Sequence, residues 1–91
     1  MFDVKKTNVK VIAKGGLTGE TVNQLTNELS KFAMKIMLDY QDTTTIANSS
    51  LGVMSLGVPE GAEIGISVDG SDDDLNKVVA ALVEGGFVEQ V

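Results

Sequence analysis

The chain has 91 residues with no histidine and no cysteine, and neither arginine nor tryptophan occurs in it. These absences exclude imidazole ligands and imidazole proton transfer, thiolate nucleophiles and metal sites, disulfides, and guanidinium recognition of carboxylates or phosphates. Thirteen acidic side chains against seven basic ones set the net charge at −6, the wrong sign for nucleic acid or an anionic membrane, both of which are gripped through cations.

A chain of this length is expected to fold as one domain over residues 1–91, hiding ~63% of the surface its unfolded form exposes. Hydrophobic residues at 43% and charged residues at 22% are globular proportions, not those of a disordered chain. No apolar run approaches the ~18 residues that span a bilayer. The opening Met-Phe-Asp-Val-Lys-Lys has no apolar stretch behind it of the kind a secretory signal carries, so the expected location is cytoplasmic. The basic charge is uneven: only Lys77 follows Lys35.

Residues 8–14 alternate, with Val9, Val11 and Ala13 on one face and Ile12 breaking the pattern, which predicts a half-buried strand entered near Val4. Gly15 and Gly16 end it. Thr18 is placed to cap a helix, with Glu20 in its first turn, and Val22, Leu25, Leu29, Phe32 and Ala33 follow at helical spacing. Ile36, Leu38 and Tyr40 alternate in a second strand, Gln41 and Asp42 form the turn, and the threonine-rich stretch 43–47 is a short edge strand. Ser49 is the natural cap of a brief helix over 48–56, and Val58-Pro59-Glu60-Gly61 fits a turn. Ile64, Ile66 and Val68 alternate with polar neighbours in the next strand. Ser71 and Asp74 have capping-box spacing, and Leu75, Val78, Val79, Leu82 and Val83 form the apolar stripe of a last helix that Gly85 and Gly86 stop. The order βαββαβα, with half-wet strands and striped helices, predicts an α+β fold in which helices cover one face of a four-stranded antiparallel sheet.

The chemistry-bearing groups are few. Asp72, Asp73 and Asp74 lack the alternating acids, central glycine and terminal Glu of a calcium loop and read as partners of a helix dipole; no metal site and no cofactor is expected. The stretch Gly15-Gly16-Leu17-Thr18-Gly19 resembles a phosphate loop without the Lys-Ser/Thr or the dinucleotide spacing that such a loop needs, and Glu20 pushes an anion away. No base is spaced to activate a hydroxyl, so the chain does not read as an enzyme. Ser49 either only caps its helix or is a phosphorylation switch; from chemistry alone, capping is favoured. Leu51, Met54 and Leu56 either pack inward or leave an apolar partner surface on their short helix.

The run Ser49-Ser50-Leu51-Gly52-Val53-Met54-Ser55-Leu56-Gly57, followed by Glu60-Gly61-Ala62-Glu63-Ile64, strongly resembles the HPr family, the small phosphocarriers of the bacterial phosphotransferase sugar-uptake system. The resemblance is closest over 46–70, runs back without gaps to Val9 and takes in the last helix. It implies an HPr-like open-faced β-sandwich with the same βαββαβα order. The family's active-site motif, Gly-Leu/Ile-His-Ala-Arg-Pro, falls on Gly16, Leu17, Thr18, Gly19, Glu20 and Thr21. The phosphoacceptor histidine is thus Thr18, the supporting arginine is Glu20, and the proline at the helix start is Thr21. The family's regulatory serine, target of a kinase in Gram-positive bacteria, matches Ser49, and the apolar residue after it is Ser50. A histidine-less paralogue that acts by regulation in catabolite repression is a family precedent.

The resemblance therefore implies a regulatory or protein-binding module of the phosphotransferase system family in place of a phosphocarrier. Ser49 is its candidate phosphorylation site, and its partner surface is drawn from Leu17, Thr18, Glu20, Ser50, Leu51 and Met54, with the two helix starts side by side. The partner classes implied are a serine kinase or a transcriptional regulator, and the chain is expected as a monomer or weak homodimer. Two alternatives stand beside this reading: phosphoryl acceptance on Thr18 or Ser49 within a sugar phosphotransferase relay, and a structural homo-oligomer subunit.

Overall fold

The structure, a computed structural model, describes residues 4–91; the expectation for the opening of the chain rests partly on residues 1–3, which lie outside them. The elements run β1 (Val4–Val11), α1 (Gly19–Leu29), β2 (Ile36–Tyr40), β3 (Thr43–Ile46), α2 (Ser50–Ser55), β4 (Glu63–Asp69), α3 (Asp72–Glu84) and β5 (Val88–Gln90). The strands form one sheet in the order β3-β2-β4-β1-β5, with every neighbouring pair antiparallel.

Period-two alternation sends Val9, Val11, Ile36, Leu38, Ile64, Ile66 and Val68 to one face, where all are buried. The stripes of the helices close over them through Val22, Leu25 and Leu29 of α1 and Leu75, Val78, Val79 and Leu82 of α3. Each fully buried aliphatic side chain contributes about 1.5–3 kcal/mol, so this single layer of contacts sets the register of every strand. The opposite face is open. There the Lys6 ammonium reaches Asp39 at 3.0 Å, and the intervening strand passes beneath with Gly65, where a Cβ would stand 2.7 Å from either side chain.

The sheet corrects the expectation of four strands: among the described residues it has five. After α3 the chain turns at Gly86 with φ +78, the Phe87 carbonyl accepts the N–H groups of Ile12 and Ala13 at 2.9 and 3.2 Å, and Val88 pairs with Val11 and Gln90 with Val9. Three residues are too short to display alternation, so their pairing is decided by where α3 delivers them. Three smaller expectations also change. β1 stops at Val11, and α1 stops at Leu29, leaving Phe32 half-buried in the loop and Ala33 exposed. Val83 is 39% exposed, because at about 100° per residue it lies about 80° around the helix from Leu75, at the margin of the stripe.

Candidate functional site

The loop ahead of α1 is built by glycine. Gly15 and Gly16 have φ of +81 and +80, and Gly19, the first helical residue, has φ +53. Gly16 is also pressed against the turn that follows α2. A Cβ there would stand 2.9 Å from the Glu60 nitrogen and the Pro59 carbonyl carbon and would collide with the Val58 carbonyl oxygen, so no other residue fits. Two hydrogen bonds fix the same approach: Leu17 N–H donates to the Val58 carbonyl at 2.9 Å, and Gly15 N–H donates to Glu60 Oε1 at 3.0 Å. The sequence reads Glu60 only as a turn residue. Nothing local distinguishes it, since its partner lies 45 residues away.

Thr18 occupies the cap position of α1 with an extended backbone, but its side chain makes no capping bond. With Gly19 in the left-handed region, the contact made instead is from Thr21 N–H to the Thr18 carbonyl at 3.1 Å. This corrects the expectation that Thr18 caps the helix through its hydroxyl. Thr18, Gly19 and Glu20 are exposed, Gly16 is buried and Thr21 is half-buried. Leu17 is a second correction: it is 0% exposed and joins the core, because the bond to Val58 turns it inward. It has no surface with which to bind a partner.

The start of α2 follows expectation. Ser49 caps it, its hydroxyl accepting the Gly52 N–H at 3.2 Å. Gly52 lies against β3, where a Cβ would collide with the Thr45 hydroxyl. Val53 and Leu56 pack inward, whereas Leu51 is 79% and Met54 39% exposed, and Ser49 and Ser50 are half-buried. The choice left open by the sequence thus divides: Leu56 belongs to the core, and Leu51 and Met54 to the surface.

The expectation that the two helix starts sit side by side is corrected by the anchors themselves. The Thr18 loop is tied to Val58 and Glu60 beyond the C-terminal end of α2, while Ser49 stands at the other end of that helix. Its six residues separate the two by about 9 Å of axial rise.

The site offers exposed hydroxyl, carboxylate and apolar groups from Thr18, Glu20, Leu51 and Met54. Neither the Thr18 nor the Ser49 hydroxyl is hydrogen-bonded to a side-chain base among the described residues. Among those residues no group of three or more acidic side chains is placed to hold a metal. A cavity of about 70 Å³ is bordered by Phe32, Met34, Ile46 and Asn48. Among the described residues no helix is long and apolar enough to cross a membrane.

Residues 5–85 match the family described as the PTS HPr component phosphorylation site. Among solved structures, the phosphocarrier protein HPr of Bacillus anthracis str. Ames is similar at 29% identity and TM-score 0.77, over 86% of this chain and 95% of its own. The HPr-C-His protein of Thermoanaerobacter tengcongensis is 28% identical with TM-score 0.78, over 91% of this chain and 94% of its own. An HPr dimer from the same organism is 28% identical with TM-score 0.63, over 89% and 94%.

Proposed function

This chain belongs to the HPr family of the phosphotransferase system, and we propose that it is a histidine-less member, a single domain over residues 1–91 that binds protein partners in the bacterial cytoplasm and carries no phosphoryl group between them. One observation carries the reading. The loop before α1 is held in place by Gly16, Val58 and Glu60, yet the residues it presents are Thr18 and Glu20, and no imidazole exists anywhere in the chain.

The chemistry follows from those groups. An imidazole nitrogen accepts a phosphoryl group and releases it again at similar energy, whereas a threonine alcohol forms an ester that does not pass it on. Glu20 in the first turn opposes an arriving phosphate, where the helix dipole would otherwise favour it. What the scaffold keeps is a strip along α2 with Leu51 and Met54 exposed, bounded by Thr18 and Glu20 at one end and Ser49 and Ser50 at the other. Leu51, an apolar side chain left 79% in water, and Met54, 39% exposed, are the apolar surface this strip offers a protein partner.

Ser49 is the regulated position in this reading. A phosphate on it would stay at the amino end of α2, where peptide N–H groups and the dipole favour negative charge and no acidic residue in the first turn opposes it. The decisive assay mixes the protein with Enzyme I and labelled phosphoenolpyruvate. No acid-labile label is expected, and acid-labile label at any residue overturns the proposal. With ATP and the family's serine kinase, an acid-stable ester is expected on the protein and none on Ser49→Ala; no ester on either removes the regulatory part.

A further inference from the structure

We propose that two copies of this chain pair through the outer edge of β3, one edge adding antiparallel to the other about a twofold axis. β3 is the outermost strand on its side of the sheet, and among the described residues no strand lies beyond it. It consists of Thr43, Thr44, Thr45 and Ile46. All four are β-branched, and the strand has none of the lysines, prolines or bulges that protect an exposed edge. Ile46 is 39% exposed and lies opposite the half-buried Met37, so the edge also has apolar surface to cover.

Two hydrogen bonds fix which backbone groups are left over. Asp69 N–H donates to the Lys35 carbonyl at 3.0 Å, which turns Met37 and Asp39 toward β4 and leaves Ile36, Leu38 and Tyr40 for β3. Ala47 N–H donates to the Ile36 carbonyl at 2.9 Å in the same phase. Thr43 and Thr45 therefore bond to β2, and Thr44 and Ile46 turn their backbone groups outward. The Ile46 carbonyl accepts the Ser49 N–H at 3.2 Å and retains a second lone pair. A twofold axis at Thr45 sets Thr44 of each copy opposite Ile46 of the other and gives about four hydrogen bonds. Each Ile46 then lies between Met37 of its own chain and Thr44 of the other copy.

Charge makes a second copy the fitting occupant. Asp42 stands at one end of the edge, in the turn that enters β3, and Lys35 stands at the other, one row beyond the bond from Ala47 to Ile36. Both are exposed, and neither belongs to an ion pair among the described residues. The twofold register sets Asp42 of each copy across from Asn48 of the other, with Lys35 next in that row. A lysine spans such a gap on this sheet: Lys6 reaches Asp39 at 3.0 Å across the strand that carries Gly65. Opposite charges therefore meet at both ends of the paired edges, and no like charges face each other between them. An unrelated strand would have to carry both charges at the right spacing, whereas a second copy brings them by symmetry. The contact is isologous, so assembly stops at the dimer.

The test is an amide-resolved NMR dilution series of the whole chain from ~2 mM to ~20 µM, with sedimentation velocity alongside. Concentration-dependent shifts are expected at Asp42, Thr44 and Ile46, with a dissociation constant on the order of 1 mM, because one short strand a side makes a small interface. Asp42→Lys and Lys35→Asp are each expected to pair several-fold more weakly alone. An equimolar mixture of the two is expected to pair as tightly as the parent chain, because only the mixed dimer sets opposite charges at both ends. Thr44→Pro removes an N–H that β2 does not use and is expected to abolish pairing with the melting transition retained. The proposal is overturned by unchanged shifts and sedimentation up to ~2 mM, by shifts confined to residues outside β3 and its flanks, by a mixture no tighter than its components, or by pairing that survives in folded Thr44→Pro. Shifts at Thr44 and Ile46 that appear only on adding the capped peptide acetyl-Thr-Val-Thr-Val-amide would also overturn it, assigning the edge to an extended segment of another protein.

Discussion

Glu60 holds Gly15: its carboxylate accepts the Gly15 N–H at 3.0 Å, so the turn that leaves α2 fixes the loop that enters α1. Glu60→Ala is expected to cost about 1 kcal/mol, the usual worth of one such bond to a charged acceptor at an exposed position, and to speed amide exchange at Gly15. Urea denaturation with residue-resolved exchange measures both. An unchanged exchange rate at Gly15 would mean that the bond does not hold the loop.

The neighbouring glycines should respond unequally. Gly15 and Gly16 share a left-handed backbone, but a Cβ on Gly15 meets nothing within 4 Å, and one on Gly16 runs into the backbone of Val58, Pro59 and Glu60. Gly15→Ala therefore incurs only the conformational penalty, about 1 kcal/mol. Gly16→Ala adds a backbone collision that no rotamer change relieves, and a loss of about 3 kcal/mol or more is expected. Equal midpoints in parallel urea curves would contradict the close approach.

The packing of α2 on β3 depends on Thr45 and Gly52. Helix propensity alone favours Gly52→Ala by about 1 kcal/mol, but the added methyl collides with the Thr45 hydroxyl and crowds Ser49 Oγ at 3.3 Å. A β-branched side chain in a strand has little rotamer freedom with which to move aside. The expected net change is a loss of about 1–2 kcal/mol, recovered in large part when Thr45→Ala is added. A double-mutant cycle reads the coupling directly, and additive effects would contradict the contact.

The β2–β3 turn carries avoidable strain. Gln41 and Asp42 have φ of +48 and +66, the signature of a tight hairpin turn that prefers Asn-Gly. Replacing them as Gln41→Asn with Asp42→Gly is expected to raise stability by about 1 kcal/mol, visible as a higher melting temperature. A lower one would show that the side chains now present have a compensating role.

The dismantled phosphoryl chemistry should be restorable on this scaffold. Thr18 and Glu20 are exposed and the Thr18 side chain makes no capping bond, so Thr18→His with Glu20→Arg is expected to cost only about 1 kcal/mol, from reversing the charge in the first turn of α1. The double variant is expected to take acid-labile label from Enzyme I and phosphoenolpyruvate, with none on the parent protein. Failure of a stable double variant to be labelled would locate the block elsewhere on the surface.

Much of this was legible in the residues. The alternation of Ile64, Ile66 and Val68 and the stripe through Leu75, Val78, Val79 and Leu82 each identify an element and its buried face, because burial on one side leaves a period in the chain. The caps at Ser49 and Ser71 were legible for a similar reason: each bond spans three residues. Thr18 misleads because its capping depends on the φ of Gly19, which glycine leaves free and the tertiary structure sets. Leu17 misleads because a single apolar residue between polar ones has no period and is turned inward by a distant carbonyl.

The sequence by itself determined the order of the elements, the inward face of each, and the chemistry that is absent: a chain without histidine cannot use imidazole however it folds. Only the tertiary structure decided the fifth strand, the clamp from Glu60 to Gly15 and the burial of Leu17. The physical reason is range. Periodicity and capping act over a few residues and are written locally, whereas these three features depend on groups far apart in the chain, brought together by packing that no local pattern records.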